Sequence, residues 1–142
     1  MRGSRAAVVA AVAGVLVALA PAASAQARPR IAGLQVTQTG LGPPGPDYEV
    51  EVAARVRVCA QRGRVTVRVR EQDTTFETPP TVNATQFRRF TRTQRSRCQT
   101  HEVSWILGDR FFGVGVYRLR FQVADRQGAL SPSVFRKFET GD

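Results

Sequence analysis

Residues 55–70, RVRVCAQRGRVTVRVR, alternate arginine with valine on both sides of a short break. Successive side chains on a β-strand point to opposite faces, so this alternation predicts two strands with valine buried and arginine in water. Between them AQRG predicts a turn, because Gly63 can adopt positive φ at no steric cost. The stretch therefore indicates two consecutive strands of an all-β protein.

The same period of two extends in both directions from this stretch. It predicts strands at 31–39, 48–58, 64–70, 100–107, 116–125 and 133–139, with loops at 40–47 and 108–115. The residues expected on the buried faces are Tyr48, Val50, Val52, Ala54, Val56, Val58, Val65, Val67, Val69, Val103, Trp105, Leu107, Tyr117, Leu119, Phe121 and Val123.

The segment 71–97 has a weaker pattern. Pro79 and Pro80 cannot donate to a sheet ladder, which predicts a loop or a sheet edge there. We expect a short strand at 85–90, partly anchored by Phe87 and Phe90, and then an exposed basic segment at 91–97. With no amphipathic helix in the pattern, the chain is predicted to be one antiparallel β-sandwich of about seven strands, with a small closed β-barrel as the alternative.

The N-terminus has the pattern of a secretory signal peptide. Arg2 and Arg5 precede an apolar run of about 15 residues, short of the ~20 that a spanning helix needs, and Ala23-Ser24-Ala25 fits the cleavage rule. We expect cleavage after Ala25, a leader at 26–30 and one domain at 31–140. The composition is typical of bacteria, so the expected product is exported and does not span the membrane.

Cys59 and Cys98 are the two cysteines of the chain. An exported protein folds in an oxidising compartment, which favours a disulfide between them. Two cysteines and a single histidine make a poor metal site, so no metal is expected. In the chain-entropy model, closing a loop of about 40 residues stabilises the fold by roughly 4 kcal/mol.

Residues 105–131, WILGDRFFGVGVYRLRFQVADRQGALS, resemble the closing half of bacterial extracellular immunoglobulin-like or fibronectin III-like domains. Tyr117, Asp125, Gly128 and Ser131 stand at the positions of that family's Y…D-x-x-G-x-x-S pattern, and residues 50–69 resemble its second and third strands. The turn at 61–63 lacks the family's usual acidic residue before glycine. The resemblance spans most of 31–138 and implies a fold rather than one function.

The resemblance also implies which strands are neighbours. In such a sandwich the strand ending at Cys59 lies antiparallel to the strand that follows Cys98, which would bring the two thiols together. The strand after Gly63 would lie beside the strand that holds Tyr117. Arginines on the outer sides of that second pair would then share one surface.

The outward arginines are the candidate functional residues. The chain has a formal net charge of +10, with Lys137 as its one lysine, which favours anionic partners. The expected binding face consists of Arg64, Arg68, Arg70, Arg118 and Arg120, and a second basic patch of Arg88, Arg89, Arg92, Arg95 and Arg97. The partner would be an anionic polymer of the cell envelope, a lipid headgroup or an acidic protein. Alternatively, arginine is only a soluble surface residue whose aliphatic stem covers the sheet.

Other function classes find little support in the sequence. It has no nucleophile elbow, zinc-protease motif or phosphate-binding glycine loop, and His101 is its one imidazole, so neither an enzyme nor a cofactor is expected. No aromatic residues are expected among the outward arginines, which disfavours nucleic acid. The expected function is a non-catalytic binding module. Its alternative is a structural or accessory surface domain without its own ligand. The oligomeric state stays open.

Overall fold

The computed structural model describes residues 27–41, 49–74, 82–107 and 115–140. The expected signal peptide, Tyr48, the Pro79-Pro80 segment and most of the two expected loops lie outside these ranges. Seven strands occupy the described residues: β1 Arg30–Leu41, β2 Glu49–Cys59, β3 Gly63–Thr74, β4 Val82–Gln94, β5 Cys98–Ile106, β6 Gly115–Ala124 and β7 Val134–Thr140.

The strands form two antiparallel sheets. One has the order β1-β2-β5 and the other β4-β3-β6-β7. The sheets share no strand pairing within the described ranges, so the chain is the expected seven-stranded sandwich and not a closed barrel. The described part of the chain contains no helix long and apolar enough to cross a membrane.

Inward side chains of both sheets form one core. The inward residues expected on β2, β3, β5 and β6 that lie in the described ranges are all buried. Trp105 is central, with its ring centroid 5.7 Å from that of Phe90 and 6.3 Å from that of Phe121. Its indole Nε1 donates a hydrogen bond of 2.9 Å to Oε2 of the buried Glu71, which satisfies a donor that the core would otherwise leave unpaired.

The disulfide joins Cys59 and Cys98, as expected, with the two Cα atoms 4.0 Å apart. These residues are directly opposite in the β2–β5 ladder, so the bond crosses two strands of one sheet. The expected pairing of β3 with β6 is also present. Both neighbour relations inferred from the resemblance are therefore confirmed.

The residues of the D-x-x-G-x-x-S pattern, Asp125, Gly128 and Ser131, stabilise the connection between β6 and β7. Asp125 Oδ1 accepts 2.9 Å hydrogen bonds from the backbone N–H groups of Gln127 and Ala129. Gly128 has φ +84°, a conformation that favours glycine. Ser131 Oγ accepts from the Val123 N–H and donates to the Pro132 carbonyl. This pattern thus has a structural role in the chain.

Most of the segment 91–97 is exposed, as expected, but β4 continues to Gln94, whose side chain is buried. Gln94 Nε2 donates to the carbonyls of Val58 and Ser96, each at 2.9 Å. A polar residue is tolerated here because backbone carbonyls satisfy its amide, a circumstance that hydrophobic patterning does not detect.

Candidate anion-binding face

The outer side of the four-stranded sheet carries a concentration of basic side chains. The ladder registers place the following residues on this side, which we call the arginine face: Arg64, Arg68, Arg70, Arg89, Arg118 and Arg120, with Lys137 on β7. They alternate with the buried valines and aromatics, as the period of two requires. All five residues of the expected binding face are thus on one surface.

Arginines of the arginine face stand opposite one another. Arg68 pairs in register with Arg89, Arg70 with Arg120, and Arg118 with Lys137. Like charges directly across a ladder are destabilising, so this face carries unfavourable repulsion.

Among the described side chains of the arginine face, one carboxylate, that of Glu139, can offset the positive charge of the arginines. Glu139 lies 3.8 Å from the Lys137 ammonium, and both groups are well exposed. An exposed pair of this kind contributes little, so the arginines keep their positive potential.

One row of the sheet joins the arginines to two phenylalanines. Phe87 is opposite Arg70, Arg70 is opposite Arg120, and Arg120 is opposite Phe135, so the row crosses all four strands. Phe87 is 69% exposed and Phe135 is 58% exposed. With strands about 4.8 Å apart, the two phenylalanines stand roughly 14 Å from each other.

The expectation that aromatics are absent from this face is therefore wrong. Phe87 and Phe90 are an odd number of positions apart on one strand, so they must face opposite sides: Phe90 packs against Trp105 and Phe87 points outward. The same parity separates Phe135 from Phe138, which stacks on Tyr117 with ring centroids 5.2 Å apart. Strand parity alone would have shown that one phenylalanine of each pair faces outward.

A shallow cleft of about 330 Å³ adjoins Phe135. Its walls are Arg70, Gln72, Arg118, Arg120, Phe135, Arg136 and Lys137. The Arg70 Nε is covered by its neighbours and has no hydrogen-bond partner among the described residues. The cleft combines an apolar wall with several N–H donors, which suits a small acidic group attached to an apolar body.

The structure does not bring the second basic patch together. Arg89 belongs to the arginine face, but Arg88 and Arg92 occupy the other side of β4. Arg88 Nη2 donates to the Ile106 carbonyl at 3.2 Å, and Arg92 Nη2 donates to the Glu102 carbonyl at 3.0 Å. Both arginines therefore reach from β4 to the edge of β5 in the opposite sheet.

The opposite side of the sandwich is bridged in the same way. Arg136 Nη2 on β7 donates to the Leu34 carbonyl of β1 at 3.0 Å. Gln38 Nε2 on β1 donates to the Glu139 carbonyl of β7 at 3.4 Å. Together with Arg88 and Arg92, these contacts satisfy backbone carbonyls on strands that have a free edge.

Arg95 and Arg97 lie apart from both groups, in the short connection between β4 and β5. The Arg97 carbonyl accepts from the Ala60 N–H, and the Arg95 N–H donates to the Gln99 side chain. Their backbones hold the turn beside the disulfide. A shallow cleft here includes Arg28, Arg30, Arg62 and Arg97.

His101 is buried against the same connection. Its Nε2 is 2.7 Å from Gln94 Oε1, and because the Gln94 amide nitrogen already donates to carbonyls, the histidine nitrogen must donate. Burial lowers the pKa of His101, and the nearby Arg92 guanidinium lowers it further. The imidazole is thus held neutral in a structural hydrogen bond. The described residues hold no group of three or more potential metal ligands.

Solved structures with a similar fold include parts of large enzymes. A "putative beta-galactosidase" from Bacteroides fragilis superposes with a TM-score of 0.50 at 12% identity, over 80% of this chain. A β-glucuronidase from Bacteroides uniformis gives 0.48 at 10% identity, over 81% of this chain. The matched parts are 18% and 14% of those chains. At 12% identity, the likeness to the first of them shows a shared fold alone. No protein-family model and no curated protein matches the sequence.

Proposed function

We propose that the protein is an exported, non-catalytic binding module of the immunoglobulin-like class. Its arginine face engages an anionic component of the cell envelope or an acidic protein. The observation that carries this proposal is the set of facing arginine pairs, Arg68 with Arg89 and Arg70 with Arg120, on a face whose described carboxylate is Glu139 alone. An anion bound between them would remove the repulsion.

The class assignment is supported by three features. The strand order places β2 next to β5 and β3 next to β6, as the resemblance implies. The disulfide suits an oxidising compartment. The Asp125, Gly128 and Ser131 residues of the family pattern form the β6–β7 turn.

The test compares two triple variants of equal charge. The first, Arg68→Ser, Arg118→Ser and Arg120→Ser, removes arginines from the arginine face. The second, Arg55→Ser, Arg57→Ser and Arg62→Ser, removes arginines that lie elsewhere. Binding to a cell-envelope fraction and to inorganic polyphosphate is measured across a salt series.

We expect saturable binding that weakens with salt, because exposed charges are screened over about 8 Å at physiological ionic strength. The face variant, which lacks three arginines, should lose roughly tenfold to a hundredfold in affinity, since each exposed ionic contact contributes modestly. The second variant should bind like the unmodified protein. Equal losses in both variants would indicate a response to net charge alone. Absence of saturable binding would favour a structural or accessory domain without a ligand.

A further inference from the structure

We infer that the arginine face docks on the surface of an anionic lipid bilayer, with Phe87 and Phe135 entering the interfacial layer and the arginines contacting lipid phosphates. This inference rests on the proposed function and specifies the partner. It follows from the row Phe87–Arg70–Arg120–Phe135, which presents two apolar groups and two cations on one surface.

The charged side chains of the face match phosphate. Arginine and lysine side chains offer N–H donors and no acceptors, and a phosphate diester offers only acceptors at its charged oxygens. A glycan presents hydroxyl groups, which donate as well as accept, and it needs acceptors in its binding site. Among the described side chains of the face, the one carboxylate is Glu139, at the edge strand β7.

The phenylalanines distinguish a bilayer from a soluble polyanion. Phe87 lies on β4 and Phe135 on β7, the two edge strands, so one aromatic flanks each side of the central arginines. A soluble polyanion or the acidic surface of a protein would satisfy the arginines and leave both rings in water. A bilayer interface accepts both, because apolar area enters the acyl boundary and cations meet the anionic headgroups.

Nucleic acid fits the same row less well. Platforms for single strands stack successive bases on neighbouring aromatics. Here β3 and β6, which both carry arginines, lie between Phe87 and Phe135, and the two phenylalanines stand roughly 14 Å apart. The cleft beside Phe135, with Arg118, Arg120 and Lys137 in its walls, instead provides room for a single headgroup next to an apolar side chain.

The experiment measures sedimentation of the purified full chain with vesicles of phosphatidylcholine alone or mixed with phosphatidylglycerol. The test variant is Phe87→Ser with Phe135→Ser. The control, Leu41→Ser, removes an exposed apolar side chain from the other sheet. Polyphosphate binding of each variant is measured in parallel. Thermal unfolding and the intact mass, which reports the disulfide, verify that each variant is folded.

We expect binding to the mixed vesicles, weakened by salt, and little binding to phosphatidylcholine. The double phenylalanine variant should lose roughly tenfold or more in vesicle affinity, because two partly buried aromatic groups are removed from the contact. It should keep its polyphosphate affinity, and Leu41→Ser should keep both. Each face arginine that is removed should cost roughly fivefold on the mixed vesicles.

Three results would overturn the inference. Unchanged vesicle binding by the phenylalanine variant would show that the rings stay in water. Polyphosphate binding without vesicle binding would exclude a bilayer as the partner and would leave the proposed function unaffected. Tight binding of single-stranded DNA that depends on Phe87 and Phe135, without vesicle binding, would replace lipid by nucleic acid. If the face arginines also prove dispensable for polyphosphate, the proposed function itself fails.

Discussion

The outer faces of the two sheets differ in their balance of charge. On the three-stranded sheet, Arg55 stands opposite Glu102 and the two form an exposed ion pair of 3.2 Å, with Glu51 on the same strand as Arg55. On the four-stranded sheet, arginine stands opposite arginine. Because both faces belong to one small domain, a general preference for arginine does not explain the difference. The arrangement of the carboxylates distinguishes a solvated face from a candidate binding face.

The arginines on the inward side of β4 have a different role. Arg88 and Arg92 flank Arg89 in the sequence of β4, yet they bond to carbonyls of the opposite sheet. The side of the strand on which an arginine falls determines whether it supports the fold or is available to a partner.

The largest expected effect tests whether Arg88 and Arg92 support the fold while the arginines of the arginine face do not. The double variant Arg88→Ser, Arg92→Ser should lower the free energy of unfolding by about 2 kcal/mol, because it removes charged hydrogen-bond donors from edge carbonyls. The matched variant Arg68→Ser, Arg89→Ser also removes two arginines, which are cross-strand neighbours on the arginine face. It should leave stability unchanged or slightly raised. Urea unfolding measures both, and equal losses would contradict the division.

The sequence predicts the sheets well where one face of a strand is apolar. β2 and β6 have apolar residues at every second position, as β3 does from Val65 to Val69, and these residues are buried. β4 has no such face, since its inward side includes Arg88, Arg92 and Gln94. Each of these side chains donates a hydrogen bond to a carbonyl of β2 or β5. Such partners exist only after the sheets have packed, so a periodicity argument does not find them.

Only part of the candidate site could be predicted from the sequence, because its residues lie on separate strands. The side of β3 and β6 on which the arginines fall follows from each strand alone, and the resemblance supplied the pairing of those strands. The row that joins Phe87 to Phe135 depends on the registers of three separate ladders. Register is fixed by the buried face and the turns together, and β4 lacks a clear buried face in its sequence.

A smaller effect should differ in sign between the two sheets. Arg70→Glu places a carboxylate opposite Arg120, which should stabilise the fold by about 0.2–1 kcal/mol through a cross-strand ion pair. Arg55→Glu places a carboxylate opposite Glu102, which should destabilise it by a similar amount. Thermal unfolding of both variants at low salt measures the difference. Changes of the same sign would show that the faces do not differ in charge balance.

The smallest expected effect is the pH dependence of stability at His101, whose hydrogen bond to Gln94 joins the two sheets. The pKa of His101 is lowered from 6.5 by burial and then by Arg92, so the folded state resists protonation more than the unfolded state does. Well above pH 6.5 both states are neutral at this residue, and its protonation does not affect stability. As the pH falls below 6.5 towards the lowered pKa, the unfolded state binds the proton first and the fold loses stability. His101→Gln keeps a donor for Gln94 and removes the titration, so unfolding curves across this range should show less loss on acidification. An equal loss in both proteins would assign the acid sensitivity to other groups, and a weaker loss in Arg92→Ser would confirm that this arginine acts on the imidazole.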